Sequence, residues 1–111
     1  MPPTPPVALD KAYSLALWLI AKTEAMPRSH RFTLGGRIYE HSLDLVGALT
    51  QATFTRNKTA ALETAGDRVN GLRILLRLAK DLHLFAFDPY IHATARLDEI
   101  GRMIGGWRKS Q

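Results

Sequence analysis

The sequence has no cysteine, few aromatic residues and no long apolar run. Among its 111 residues there is no cysteine, and aromatic residues make up only 8%. The lack of cysteine excludes disulfide frameworks, cysteine-ligated zinc sites and thiol catalysis. The longest apolar stretch, residues 12–21, spans about ten residues, whereas a membrane-crossing helix needs about twenty. The first residues, MPPTPP, also lack the basic segment of a signal peptide, so we expect a cytoplasmic protein that does not bind membranes.

The composition is otherwise that of one folded domain. Hydrophobic residues make up 46% of the chain, as in ordinary globular proteins. A domain of this size buries on folding only about two-thirds of the surface that the unfolded chain exposes. Self-association would bury additional apolar surface. Because prolines are concentrated at the start, we expect a flexible tail over residues 1–6 and a single domain over residues 7–111.

Apolar residues recur at helical spacing in four segments. The first, residues 7–26, places on one face Leu9, Ala12, Tyr13, Ala16, Leu17 and Ile20. The second runs from Ser29 or Thr33 to Thr55, and its apolar face carries Leu34, Ile38, Leu45, Val46 and Leu49. The third begins after Asn57, and the fourth follows Asp88 as N-cap with Pro89 as first helical residue. No segment alternates as a strand does, so the sequence predicts an all-α, up-and-down four-helix bundle.

The third segment is apolar on more than one side. Its main seam carries Leu62, Ala65, Val69, Leu72, Leu76, Ala79 and His83, and further apolar residues follow at Ile74, Leu75, Leu78 and Leu82. A helix with two apolar sides has two neighbours to pack against, so we expect subunits to associate through this helix in a symmetric, ring-like oligomer if the second neighbour is another copy of the chain. In the fourth segment, Gly101, Gly105 and Gly106 indicate either a frayed helix end or the close approach of a neighbouring helix.

Basic residues cluster in two places in this chain of net charge +5. The ends of the second segment carry Arg28, Arg31, Arg37, Arg56 and Lys58, and the third segment carries a predicted stripe of Arg68, Arg73, Arg77 and Lys80. Such a stripe is either a solvated face or a phosphate-binding surface. Ten of the fifteen basic residues are arginine, whose planar fork suits phosphate, and a symmetric oligomer would repeat the stripe. We therefore predict sequence-independent, salt-sensitive binding of nucleic acid.

Patterns for catalysis, metals and cofactors are weak or missing. The chain lacks the Glu-x-x-His repeats of di-iron bundles, a phosphate-binding glycine loop and a nucleophile elbow. Arg77 and His83 fit the Arg-x(4–6)-His spacing of HEPN-type ribonucleases, although His83 also fits a packed position at a helix end. The remaining histidines are scattered, and Trp18 and Trp107 fit core or interface positions better than base stacking. The sequence predicts no enzyme activity, metal or cofactor.

Three motifs resemble a known family in the right order along the chain. They are residues 27–38 (PRSHRFTLGGRI), 72–82 (LRILLRLAKDL) and 97–107 (LDEIGRMIGGW). These residues resemble Avd, the accessory variability determinant of diversity-generating retroelements. Avd lies within a larger four-helix-bundle family that includes proteins encoded in intervening sequences of 23S ribosomal RNA genes. The similarity covers nearly all of the chain after residue 6.

The resemblance implies a homopentameric barrel of four-helix bundles that binds the reverse transcriptase of the element and nucleic acid. In that family the protein has no catalytic activity of its own and supports the copying of a template RNA into mutagenised cDNA for retrohoming. Arg73, Arg77 and Lys80 would then belong to the basic surface, together with Arg68. The open alternatives are an intervening-sequence-type protein with a structural or RNA-binding role, and the HEPN-like ribonuclease.

Overall fold

Residues 4–111 fold into five α-helices. The computed structural model describes the backbone of residues 4–111 and the side chains of residues 7–111. The helices are α1 (Thr4–Glu24), α2 (Arg28–Arg31), α3 (Leu34–Phe54), α4 (Thr59–Asp81) and α5 (Phe87–Lys109). Residues 4–111 contain no strand, so the predicted all-α class is confirmed.

The four long helices form a closed bundle with principal extents of 44 × 23 × 18 Å. Helix α1 packs against α3 and α5, and α4 packs against the same two helices. Short connections join consecutive long helices, which therefore run antiparallel, as an up-and-down bundle requires. The ring-like oligomer stays a prediction, because the structure is that of one chain.

The first helix begins earlier than its sequence suggests. The backbone of residues 4–6 belongs to α1, whereas the sequence analysis assigned these residues to the flexible tail. Prolines are compatible with a first helical turn, because its N–H groups have no partner within the helix in any case. Residues 1–3 of the predicted tail lie outside the described residues.

The core is formed mainly by leucine, isoleucine and alanine from all four long helices. On α3 the buried side chains include Leu34, Ile38, Leu45 and Leu49, with Val46 half-buried, and on α4 they include Leu62, Ala65, Val69, Leu72, Leu76 and Ala79. These two faces are as predicted. Helix α5 adds Ala93, Leu97, Ile100, Ile104 and Trp107, which confirms Trp107 as a core residue.

On α1 the predicted face is wrong in part. The predicted Ala12 and Ala16 are buried, but Tyr13 and Leu17 are 57% and 58% exposed. The other core positions of α1 are Ala8, Leu15 and Leu19. Residues 12–21 are apolar on almost every side, so helical spacing alone fits several faces. Packing against α3 and α5 selects one of them.

The second apolar side of α4 has no partner among residues 7–111. Ile74, Leu78 and Leu82 are 64%, 46% and 46% exposed, although the main seam of the same helix is buried. The prediction that α4 is apolar on two sides is therefore correct for the helix. One chain covers only one of these sides.

The second predicted segment is divided into α2 and α3. The guanidinium of Arg31 donates to the Met26 carbonyl oxygen from Nε at 3.2 Å and from Nη2 at 3.1 Å, and so holds α2 against the end of α1. A Cβ atom at Gly35 would lie 3.2 Å from Met26 Sδ. Glycine therefore allows the start of α3 to approach this turn closely.

Helix α4 ends in a Schellman motif with His83 in the left-handed conformation (φ 61°). The N–H of Leu84 donates to the Ala79 carbonyl at 2.8 Å, and the N–H of His83 donates to the Lys80 carbonyl at 2.9 Å. The chain thus leaves the helix before His83, whose side chain is exposed. The predictions that His83 extends the apolar seam and packs at the helix end are wrong.

Helix α5 also starts two residues earlier than predicted and remains helical at its glycines. Its N-cap is Ala86, and Asp88 lies in the first turn, where its charge complements the helix dipole but does not cap the helix. The helix continues to Lys109, so the frayed-end interpretation of Gly101, Gly105 and Gly106 is wrong. Among the helices described, none combines the length and hydropathy that a bilayer-spanning segment needs.

Candidate nucleic-acid interface

Three of the predicted cations lie along the side of α4 that faces α5. Arg73 forms an ion pair with Asp98 of α5, from Nη1 to Oδ1. Lys80 Nζ lies 5.0 Å from the ring centre of Tyr90 of α5 and 3.2 Å from Asp81 Oδ1. Arg77 lies between them in sequence; it is exposed and has no ion pair among the residues that the structure describes. The structure therefore brings Arg73, Arg77 and Lys80 together.

Arg68 lies on the other side of α4. Its Nε donates to Asp44 Oδ2 of α3 at 3.1 Å, so this guanidinium faces the α3–α4 boundary. Arg73 and Arg68 are five residues apart, which rotates them by about 140° around a helix of 3.6 residues per turn. The predicted single stripe of four cations is therefore wrong, because Arg68 is separated from the other three.

The arginines predicted around the second helix lie at opposite ends of the bundle. Arg28, Arg31 and Arg37 belong to α2 and the first turn of α3, and Arg56 follows the end of α3. Arg37 and Arg56 are separated by about 28 Å along the helix axis. All four arginines are exposed, and the Arg31 guanidinium also donates to the Met26 carbonyl. These residues form two small basic areas and not one cluster.

Lys58 serves the fold. Its Nζ donates to the carbonyl oxygens of Ala52 and Thr55, both at 2.6 Å, and so satisfies the last turn of α3. The same ammonium lies 5.9 Å from the ring centre of buried Trp107. Two of the five cations counted around the second helix, Arg31 and Lys58, are thus engaged with backbone carbonyls.

A shallow groove of about 380 Å³ runs between α4 and α5 beside Arg73. Its lining residues are Gly66, Val69, Asn70, Arg73, Asp98, Gly101, Arg102, Ile104, Gly105 and Arg108. A Cβ atom at Gly101 would lie 3.1 Å from Arg73 Nη2 and 3.7 Å from Val69 Cγ1. Side chains of α4 therefore approach Gly101 closely, while Gly105 and Gly106 have open space at the same position.

The charge pattern of the sequence did not indicate Arg102 and Arg108 as members of this basic area. They come from the helix opposite Arg73, and a charge pattern read along one segment does not show which cations of another helix will join it. The spacing of Gly101 and Gly105 could have indicated the groove. Glycines four residues apart lie on one face of α5, next to Arg102 and Arg108.

Arg77 is not among the residues that line the depression beside His83. This depression lies at the α4–α5 turn and is also lined by Lys80, Asp81, Phe85, Ala86 and Phe87. Within the described part of the chain, no group of three or more His, Cys, Asp or Glu side chains is arranged to hold a metal.

Trp18 packs within the bundle. Its ring is T-shaped against Phe85 at 6.2 Å and tilted against His92 at 5.1 Å. Lys22 Nζ lies 5.2 Å from the centre of the same ring. This tryptophan is partly buried against the core, as predicted.

Comparison with known proteins identifies the family. A solved structure from Bacteroides thetaiotaomicron, a protein of unknown function from the S23 ribosomal protein family, superposes with a TM-score of 0.88. The alignment covers 96% of this chain and 98% of that one at 14% sequence identity, so it shows the fold alone. No curated protein matches the sequence. The model of the bAvd-like family matches residues 7–111, in agreement with the resemblance to Avd, and the chain therefore belongs to the bAvd-like family.

Proposed function

We propose that this chain is a non-catalytic accessory protein of a diversity-generating retroelement. It binds the reverse transcriptase of the element and the template RNA or its cDNA, and so supports mutagenic retrohoming. The proposal rests on membership of the bAvd-like family together with one structural observation, the group of Arg73, Arg77 and Lys80 along α4 beside α5. The role needs no catalytic group, metal or cofactor. The predicted cytoplasmic location stays a prediction.

The chemistry of these cations suits a phosphate backbone. Arg77 is exposed and unpaired within the described residues, and Arg73 is held in place by Asp98. Guanidinium groups form bidentate hydrogen bonds with phosphate oxygens, and binding releases counterions from the nucleic acid. Affinity should therefore fall steeply with salt and depend little on sequence. Arg68, Arg28, Arg31, Arg37 and Arg56 are in separate areas and would add contacts with the polymerase or with RNA only in a larger assembly.

Self-association is part of the proposal, and two exposed apolar areas support it. The first lies on α1 and α3. Leu9, Tyr13, Ile20 and Thr23 follow one line on α1, and Thr23 is the neighbour of Gly35 on α3. Tyr39 and Val46 continue the line of Gly35, so the two lines face one another. Exposed Leu17 and Leu43 flank them. We call Tyr13, Leu17, Tyr39 and Leu43 the α1–α3 surface.

The second area is the α4 surface, formed by Ile74, Leu78 and Leu82. A cyclic ring of more than two subunits needs two different, complementary surfaces on each subunit. The α1–α3 surface and the α4 surface lie on different helices and meet that requirement. A ring would also repeat the basic residues of α4 and strengthen their combined field.

Nucleic-acid binding is tested by titrating labelled RNA and DNA at two salt concentrations. The double variant Arg73→Gln/Arg77→Gln should weaken binding about tenfold and reduce the slope of log affinity against log salt by about 1.4 for a single strand, since two phosphate contacts are lost. The matched control is Lys11→Gln/Lys22→Gln, which removes the same charge from α1. Equal losses in both double variants, or no loss in the first, would show that the α4 cations are only a solvated face.

The polymerase partnership requires a separate measurement. The tagged chain should capture the cognate reverse transcriptase from a mixture of purified components, and template RNA should increase the amount captured. Failure to capture the polymerase in either condition would contradict the accessory role. A genome in which the gene neighbours a reverse transcriptase and a template-repeat/variable-repeat pair would agree with it.

Each of the two alternative functions predicts a different experimental result. An intervening-sequence-type protein would bind ribosomal RNA without a reverse transcriptase partner. A HEPN-like ribonuclease would cleave RNA, and His83→Ala would abolish that cleavage. Under our proposal the wild-type protein leaves the RNA intact.

A further inference from the structure

We propose that the groove between α4 and α5 is a track for the sugar-phosphate backbone of single-stranded RNA. The inference rests on the proposed nucleic-acid binding and gives it a location that neither the sequence nor the family match assigns. The track comprises Arg73 and Asn70 from α4, Arg102 and Arg108 from α5, and a floor that contains three glycines.

The charges of the groove suit a polyanion. Three guanidinium groups line it, and Asp98 is the only acidic residue in the lining. Because Asp98 is paired with Arg73, it orients that side chain. Arg102 and Arg108 have no ion pair among residues 7–111 and are exposed. Arg102 and Arg108 are therefore free to bind phosphate, and Arg73 retains the N–H donors that Asp98 does not accept.

The shape of the groove leaves room for a chain. Gly66, Gly101 and Gly105 contribute no side chain to the floor, and a Cβ atom at Gly66 or Gly105 would meet nothing within 4 Å. The volume of about 380 Å³ is in the range of ligand-binding clefts. The axes of packed helices lie about 8–10 Å apart, so the groove follows one line between α4 and α5 and matches one strand better than a duplex.

The residues that line the groove favour binding of a sugar-phosphate backbone over binding of bases or of a folded protein surface. The lining includes no aromatic side chain, so it provides no platform on which bases could stack. The cations instead follow the helix axes. Arg102 and Arg108 are about 9 Å apart along α5, and Arg77 and Lys80 continue the α5-facing side of α4 beyond Arg73. A linear series of cations matches the regular charges of a single strand.

The decisive experiment fills the groove without changing its charge. Gly66→Gln and Gly105→Gln each place a neutral side chain in open space, and both raise helix propensity, so the variants retain the fold. The matched control is Gly47→Gln on α3, which also meets nothing within 4 Å. The probe is a fluorescent single-stranded RNA 12-mer, compared with the same sequence as a duplex.

We expect the double variant Gly66→Gln/Gly105→Gln to bind the single strand at least tenfold more weakly than wild type, and Gly47→Gln to bind like wild type. Arg102→Gln/Arg108→Gln should lose a similar factor and reduce the salt slope by about 1.4, which corresponds to two phosphate contacts.

Different negative results would contradict the groove, the proposed function or both. A wild-type protein that binds no RNA at all would overturn the proposed function and the groove together. If wild type binds RNA and both groove variants bind like Gly47→Gln, the groove is wrong and the proposed function survives. If the groove variants keep RNA but lose the reverse transcriptase, the groove is a protein-binding site and the inference is overturned. Equal losses for the single strand and the duplex would also contradict a single-strand track.

Discussion

Individual side chains decide how much of the positive charge is available for binding. Arg31 and Lys58 bind backbone carbonyl oxygens at the ends of α1 and α3, and Arg68 and Arg73 each have a carboxylate partner. The amino-acid composition does not distinguish these four cations from exposed Arg77. Their partners in the fold, however, partly neutralise their charge or hold the charged group against the protein. Because hydrogen-bond partners depend on the path of the chain, the sequence could not separate structural from available cations.

The left-handed backbone conformation of His83 can be tested by substitution. His83 adopts φ 61°, where a Cβ atom is disfavoured, so His83→Gly should raise the free energy of unfolding by about 0.5–1 kcal/mol. His83→Ala keeps the Cβ atom and should change stability little. Urea unfolding followed by circular dichroism measures both variants. A glycine variant no more stable than the alanine variant would contradict the left-handed conformation.

Whole helices show where helical spacing is informative and where it is not. On α3 and α4 the polar residues leave one clear apolar seam, and the structure buries that seam as predicted. On α1 nearly every position in residues 12–21 is apolar, so the predicted face included exposed Tyr13 and Leu17. The periodic pattern identifies a buried face only if polar residues mark the opposite face.

The two apolar sides of α4 should differ sharply in their contribution to stability. Leu72 is fully buried, so Leu72→Ala should cost about 2–5 kcal/mol through lost burial and a residual cavity. Ile74 is 64% exposed, and Ile74→Ala should cost less than about 0.5 kcal/mol in the isolated chain. Denaturant unfolding at low protein concentration gives both values. A large loss for Ile74→Ala under these conditions would place it in the core of the single chain.

The complete molecule exposes large apolar side chains in two separate areas. The α1–α3 surface and the α4 surface together expose seven large hydrophobic side chains, listed here by helix as Tyr13, Leu17, Tyr39, Leu43, Ile74, Leu78 and Leu82. Exposed apolar areas of this kind are typical of interaction sites. Their separation on different helices is the reason to expect a head-to-tail ring and not a two-fold dimer.

Mixing two association-defective variants tests that arrangement. Leu17→Asp/Leu43→Asp and Ile74→Asp/Leu78→Asp should each reduce the oligomer to a monomer, because each lacks one of the two surfaces. An equimolar mixture should form a heterodimer, since each variant retains the surface that the other lacks. Light scattering after size-exclusion chromatography gives the masses. A mixture that stays monomeric, or a wild-type protein that is monomeric, would contradict the head-to-tail ring.

The fold was far more predictable than the candidate site. Helical spacing and turn residues defined the four long helices, and the cations of α4 at positions 73, 77 and 80 were correctly grouped because one helix carries all three. Arg68 was misplaced because a rotation of about 140° turns it toward another neighbour. Arg102 and Arg108 were missed because their groove requires α5 to lie antiparallel beside α4.

Local spacing along the chain was therefore sufficient to predict the helical class, the apolar seams of α3 and α4 and the family resemblance. Each of these features depends on residues that are close together in sequence. The tertiary packing alone determined which face of α1 is buried, which cations are engaged and where the glycine-floored groove lies. Those features arise from contacts between helices that are distant in sequence. Such contacts leave no periodic pattern in any single segment.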